Sequence, residues 1–115
     1  MEVVRALISS KADVDKEGSK GGYTALMNAS VEGHMEVVRA LISSKADVNK
    51  AGTDGSTALM GASAEGHMEV VRALISSKAD VNKARTDGYT ALTLAIHFGF
   101  AEVAEVLKLA VANTR

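Results

Sequence analysis

The chain has 115 residues, no cysteine and no proline, and 13 Lys plus Arg set against 14 Asp plus Glu. A balance this close to neutral creates no field that draws nucleic acid or an anionic membrane, and the missing thiols exclude disulfides and thiolate metal sites. Hydrophobic residues make up 47% and aromatics only 3%, so the interior has to be aliphatic, and no apolar run approaches the roughly 18 residues of a membrane span.

The first stretch, Met1-Glu-Val-Val-Arg-Ala-Leu-Ile, predicts a helix over 2–10. Val3, Val4, Leu7 and Ile8 fall at i, i+1, i+4 and i+5, one stripe of a 3.6-residue period. The stretch is not an export signal, because its apolar run is short and Glu2 precedes the early basic residue Arg5. It is a structural unit: the fourteen residues 1–14 recur at 35–48 and 68–81, and an eroded copy follows at 101–110. The copies start at 1, 35, 68 and 101, steps of 34, 33 and 33. A period in this range signals a stacked array in place of one globular core. Helices are predicted in the same way over 35–44, 69–77 and 101–111. Glu36 in a first turn suits the helix dipole and is placed to pair with Arg39 at i,i+3.

After each long helix comes Lys-Ala-Asp-Val-Asn/Asp and then a polar, glycine-bearing stretch at 16–22, 50–55 and 83–88. Asp54-Gly55 and Asp87-Gly88 are turn signals of the hairpin type, so each stretch is expected to form a projecting two-stranded finger. The first finger carries one extra residue, which accounts for the longer first step. A short helix then begins at Thr24, Thr57 and Thr90, each placed as an N-cap, and ends at Gly33, Gly66 and Gly99, placed at C′. The unit is finger, short helix, tight turn, long helix.

These residues resemble the ankyrin repeat. The motif runs Asp54-Gly55-Ser56-Thr57-Ala58-Leu59-Met60-Gly61-Ala62-Ser63, Gly66-His67, Val70-Val71-Arg72-Ala73-Leu74-Ile75, Lys78-Ala79-Asp80-Val81-Asn82, and the likeness covers essentially the whole chain. It implies an all-α repeat solenoid of stacked helix-turn-helix repeats with projecting β-hairpin fingers. The units are a half repeat at 1–21 and repeats at 22–54, 55–87 and 88–115. The chain departs from the family at three points. Thr-Pro-Leu-His is here Thr-Ala-Leu-Met, or Thr-Ala-Leu-Thr in the last repeat. The His is absent with it. Lys11, Lys45 and Lys78 stand where the family has a left-handed glycine, which costs a non-glycine residue about 1–2 kcal/mol.

The resemblance further implies a non-catalytic module that binds another protein on the concave side, through finger tips and short helices. In so uniform an array the informative positions are those that vary in register. These are Tyr23, Ser56 and Tyr89; Lys20, Asp54 and Asp87; Gly18, Gly52 and Arg85; Asn28, Gly61 and Leu94; Val31, Ala64 and His97; and Glu32, Glu65 and Phe98. From these sets and the neighbouring Thr53, the expected partner-binding residues are Tyr23, Lys20, Thr53, Asp54, Ser56, Arg85, Asp87, Tyr89, Val31, Glu32, Glu65, His97 and Phe98. The two tyrosines offer contact area at low entropic cost, although bracing of the fingers would also explain them.

Catalytic constellations are not found. His34 and His67 hold the same place in successive repeats and read as structural; Asp13, Asp47 and Asp80 recur as turn residues; the serine pairs lack a nearby base. No enzyme activity, cofactor or metal is therefore expected, and neither is binding to nucleic acid or membrane. The alternative to a binding module is a self-associating scaffold joined through its ends, whether a fragment of a longer protein or a consensus-like array. Val3, Val4, Leu7 and Ile8 at one end and Val103 and Val106 at the other would carry that association, with a monomer as the default. In the last repeat Leu94, Ile96, His97, Phe98 and Phe100 either close the core with longer side chains or present an apolar end face. A reducing, cytoplasmic setting fits the absence of cysteine.

Overall fold

A computed structural model of the chain describes residues 22–113. Among them six helices follow one another in three pairs: α1 (Ala25–Glu32) with α2 (Met35–Ser43), α3 (Ala58–Ala64) with α4 (Met68–Ser76), and α5 (Ala91–His97) with α6 (Ala101–Ala112). The short helices form one layer, α1 against α3 and α3 against α5. The longer helices form a second layer, α2 against α4 and α4 against α6. This is the all-α solenoid that the period implies.

Local chemistry sets the ends of these elements. Thr24, Thr57 and Thr90 are extended N-caps whose hydroxyls accept from the third amide of each short helix. In α5 the cap is doubled, because the Thr93 hydroxyl accepts in turn from the Thr90 amide at 2.7 Å. At the ends of α2 and α4 the chain turns left-handed at Lys45 (φ 69°) and Lys78 (φ 73°), where the ankyrin pattern has glycine. The strain is accepted because the turn lets the Ala46 amide reach back to the Leu41 carbonyl at 3.0 Å and the Ala79 amide to Leu74 in the same way.

The stripe then packs as the period requires. Leu26, Leu41, Leu59, Met60, Leu74 and Leu107 are fully enclosed between the layers. Each such side chain contributes on the order of 1.5–3 kcal/mol on transfer from water. Polar ties link successive pairs along the edge: the Asn49 amide group donates to the Lys78 carbonyl at 3.2 Å and its side-chain oxygen accepts from the Asp80 amide at 2.6 Å.

The finger is narrower than a hairpin. At 52–56 it closes with one bond from the Gly52 amide to the Ser56 carbonyl, and at 84–90 it reaches a single bridge between Ala84 and Thr90. No strand forms among the described residues, because the chain enters the next helix immediately after the turn. Glu36 and Arg39 do not pair; the acid next to this turn that does find a partner is Glu32, 3.1 Å from His34.

The last pair is finished differently from the other two. Where α1 and α3 bury Met27 and Met60 under the next pair, α5 exposes Thr93. Where α2 and α4 carry the half-buried Ile42 and Ile75, α6 carries Lys108, 3.5 Å from Glu105. These replacements put polar side chains on the face that the preceding pairs bury under their neighbours, and the sequence reading had not singled them out. Of the larger residues it did name, only Leu94 turns into the core. Phe100 is half-buried, while Ile96 (57% exposed) and Phe98 (54% exposed) face outward.

Candidate functional site

The turn tips and the open side of the short helices form one continuous surface, and most of the variable side chains lie on it. The turns reach each other directly. The Tyr23 hydroxyl donates to the Asp54 carboxylate at 3.1 Å, and the Thr86 amide donates to the Asp54 carbonyl at 3.0 Å. Asp54 also accepts from the Ser56 amide at 3.0 Å. That bond above all, helped by the Ser56 and Tyr23 hydroxyls, holds its carboxyl below the usual range.

One step along, Arg85 donates through two nitrogens to both oxygens of Asp87. The pair lowers the carboxyl of Asp87 and raises the guanidinium of Arg85. The guanidinium also lies 5.5 Å from the centre of the Tyr89 ring. From Tyr89 the contacts continue to the short helix: its ring meets His97 edge-on at 5.9 Å between centroids, and His97 meets Phe98 at 4.8 Å. Arg85, Tyr89, His97 and Phe98 therefore form one connected ladder.

Between the two outer pairs the surface sinks into a groove of about 200 Å³. It is lined by Met60, Gly61 and Ala64 of the middle pair and by Tyr23, Met27, Val31, Arg85 and Leu94 of its neighbours. The groove exists because the middle repeat has Ser56 and Ala64 where the last has Tyr89 and His97. Gly61 also gives Val31 its place, since a Cβ on Gly61 would stand 2.5 Å from a Val31 methyl.

The structure sorts the sequence-predicted residues plainly. Tyr23, Asp54, Arg85, Asp87, Tyr89, His97 and Phe98 are drawn into side-chain contacts across the turns and the last short helix. Ser56, Val31 and Glu65 border the groove, Glu32 is engaged by His34, and Thr53 is an exposed turn residue. Lys20 lies outside the described residues, as do Val3, Val4, Leu7, Ile8, Lys11 and Asp13. Val103 is corrected: at 3% exposure it belongs to the core and cannot carry an end-to-end contact, and Val106 is half-buried. The contributions of Met27 and Met60 to the groove were missed. Their signal was the contrast in side-chain size between registers.

His67 has a structural role. Its ring covers Gly33, where an added Cβ would meet it at 2.7 Å, and its Nε2 donates to the Val31 carbonyl at 2.9 Å. Phe100 covers Gly66 in the same manner.

An ankyrin-repeat profile of three copies matches residues 1–52 and 45–114. The chain belongs to the ankyrin repeat family. No curated protein matches it. Ankyrin repeats generally serve as protein-interaction modules, and the family is typically non-catalytic. Among the described residues no group of His, Asp or Glu is placed to hold a metal ion, and no helix is long and apolar enough to cross a membrane.

Proposed function

We propose that this ankyrin array binds another protein through the surface made by its turn tips and short helices, without catalysis. The observation that carries the reading is the ladder from Arg85 through Tyr89 and His97 to Phe98, in which rigid aromatic groups are pre-positioned while Phe98 stays 54% exposed. Aromatic side chains held in place lose little entropy when a partner covers them, which is what interface anchors need. Affinity capture with the wild-type chain and with Tyr23→Ala/Tyr89→Ala tests it. The double variant is expected to lose its captured partner while its helical circular dichroism stays unchanged; equal capture by both would contradict the assignment.

A second reading, association of copies through the end of the stack, is favoured by one observation. Ile96 (57% exposed) and Leu109 (65% exposed) remain uncovered on the last pair. Thr93 and Lys108 oppose it, as polar groups at places where the interior pairs carry Met and Ile. Light scattering decides between them: a monomer at high concentration counts against association, and a mass that rises with concentration and falls on Ile96→Ser supports it.

A further inference from the structure

The groove over the middle repeat has a character of its own. At about 200 Å³ it lies below the roughly 300–1,000 Å³ that enclose a drug-sized ligand, and so is suited to one large side chain. Met27 and Met60 line its base from the core, so the surface an incoming group meets there is apolar. The charge around it is unequal. Arg85, the cation at the rim, has its fork occupied by Asp87, and Asp54 is engaged by Tyr23 and Ser56. Glu65 borders the same groove, is exposed, and forms no ion pair among the described residues. Glu32, in the same register one repeat earlier, has only the imidazole of His34 beside it. The mouth is thus apolar at its floor and has a free carboxylate on one side.

We propose that the groove is an anchor pocket for a partner-protein segment that inserts one large apolar side chain between Ser56 and Ala64 and pairs an adjacent Lys or Arg with Glu65. This rests on the reading that the partner binds the surface of turn tips and short helices, and it specifies what the partner must carry. Ser56 and Ala64 of the middle repeat make room for the anchor, while their counterparts in the last repeat, Tyr89 and His97, would occupy the same space. The carboxylate then selects, among apolar segments, those with a neighbouring positive charge, since an unpaired acid at the rim repels an acidic one.

The test is selection of a phage-displayed library of random linear peptides on the purified chain. The strongest clone is then synthesised and titrated against variants. Enriched peptides are expected to share a large apolar residue next to Lys or Arg. Ser56→Tyr/Ala64→His, which copies into the middle repeat two residues found at those places elsewhere in the array, is expected to weaken binding about tenfold by filling the groove. Glu65→Gln is expected to weaken it about threefold, and more at low salt than at high salt, as fits an exposed pair. Both variants are checked for unchanged thermal unfolding. Peptides that bind the filled variant as well as wild type but lose affinity with Tyr89→Ala/Phe98→Ala would overturn the pocket and leave the binding surface standing. Peptides insensitive to both sets would overturn both readings. Enrichment of acidic peptides, or of none, would overturn the pocket.

Discussion

The middle and last repeats share a register and nearly a backbone, and they differ on two faces. On the face toward the next repeat, Met60 and Ile75 become Thr93 and Lys108. On the face toward the turn tips, Ser56, Gly61 and Ala64 become Tyr89, Leu94 and His97. The first difference follows from stacking: a side chain covered by a neighbour must be apolar, and one at the end of the stack need not be. At 61 and 94 stacking still has a part, since Gly61 admits Val31 of the preceding pair and Leu94 is buried; at 56 and 89 and at 64 and 97 no side chain is buried, and stacking does not require the change. Substitutions that stacking does not require are where a partner's demands can be read.

Exchanging residues between the two repeats breaks or sharpens that comparison. The largest effect is expected from Met60→Thr, which places the end-face residue in the interior. Met60 is 2% exposed, so the change empties part of the core and buries a hydroxyl. It should cost about 2–4 kcal/mol, seen as a lower urea midpoint. The reverse exchange, Thr93→Met, should cost no more than about 1 kcal/mol, through loss of the doubled cap. Equal losses from the two would mean that the last repeat is not an end.

A smaller effect of opposite sign is expected from Lys78→Gly. It releases about 1–2 kcal/mol of left-handed strain and gives back roughly 0.5–1 kcal/mol in unfolded-chain entropy, leaving a gain of up to about 1.5 kcal/mol. Lys45→Gly should behave alike, because both turns share one geometry. An unchanged or lower unfolding midpoint for either would contradict the strain argument.

Two serines in one register give a matched pair. The Ser63 hydroxyl donates to the Leu59 carbonyl at 2.7 Å, while that of Ser30, equally buried, has no partner. Ser63→Ala should cost about 1 kcal/mol and Ser30→Ala nothing or less, by chemical denaturation.

The smallest effect is in pH. Asp54 and Asp87 are lowered in the folded chain, so the stability they add is present above their unfolded value near 3.8 and is lost as pH falls through the folded one. Asp54→Asn/Asp87→Asn should flatten the fall in unfolding midpoint below about pH 4. An unaltered slope would remove these carboxylates from the account.

Much of this architecture was legible in the sequence because its causes are local or periodic. Thr24, Thr57 and Thr90 cap because a hydroxyl beside an open helix end has one obvious use. The left-handed turns at Lys45 and Lys78 followed from register against a glycine-bearing pattern. The finger was overread, because Asp-Gly signals a turn without stating how much chain is left to pair beyond it. The seat of His67 on Gly33 was not legible, since repetition shows that a residue is structural and not which atom of the preceding repeat it meets. Thr93 and Lys108 stand in register with Met60 and Ile75, but that contrast gains meaning only once Met27 and Met60 are seen to be buried. The groove was hidden for a related reason: Ser56 and Ala64 stood among the variable positions, but a difference in register does not state that the smaller side chain leaves an open space.

The central claim is that the repeated framework holds the fold and the unrepeated turn-tip surface does the binding. The most direct measurement replaces the last repeat's surface residues with those of the middle one, Tyr89→Ser/His97→Ala/Phe98→Glu, and follows unfolding and partner capture on the same sample. All three side chains are exposed or half-buried, so the melting temperature should stay within about 4 °C while capture is lost. Retained capture with an unchanged melting temperature would contradict the claim, and so would a large loss of stability, which would make these residues part of the framework.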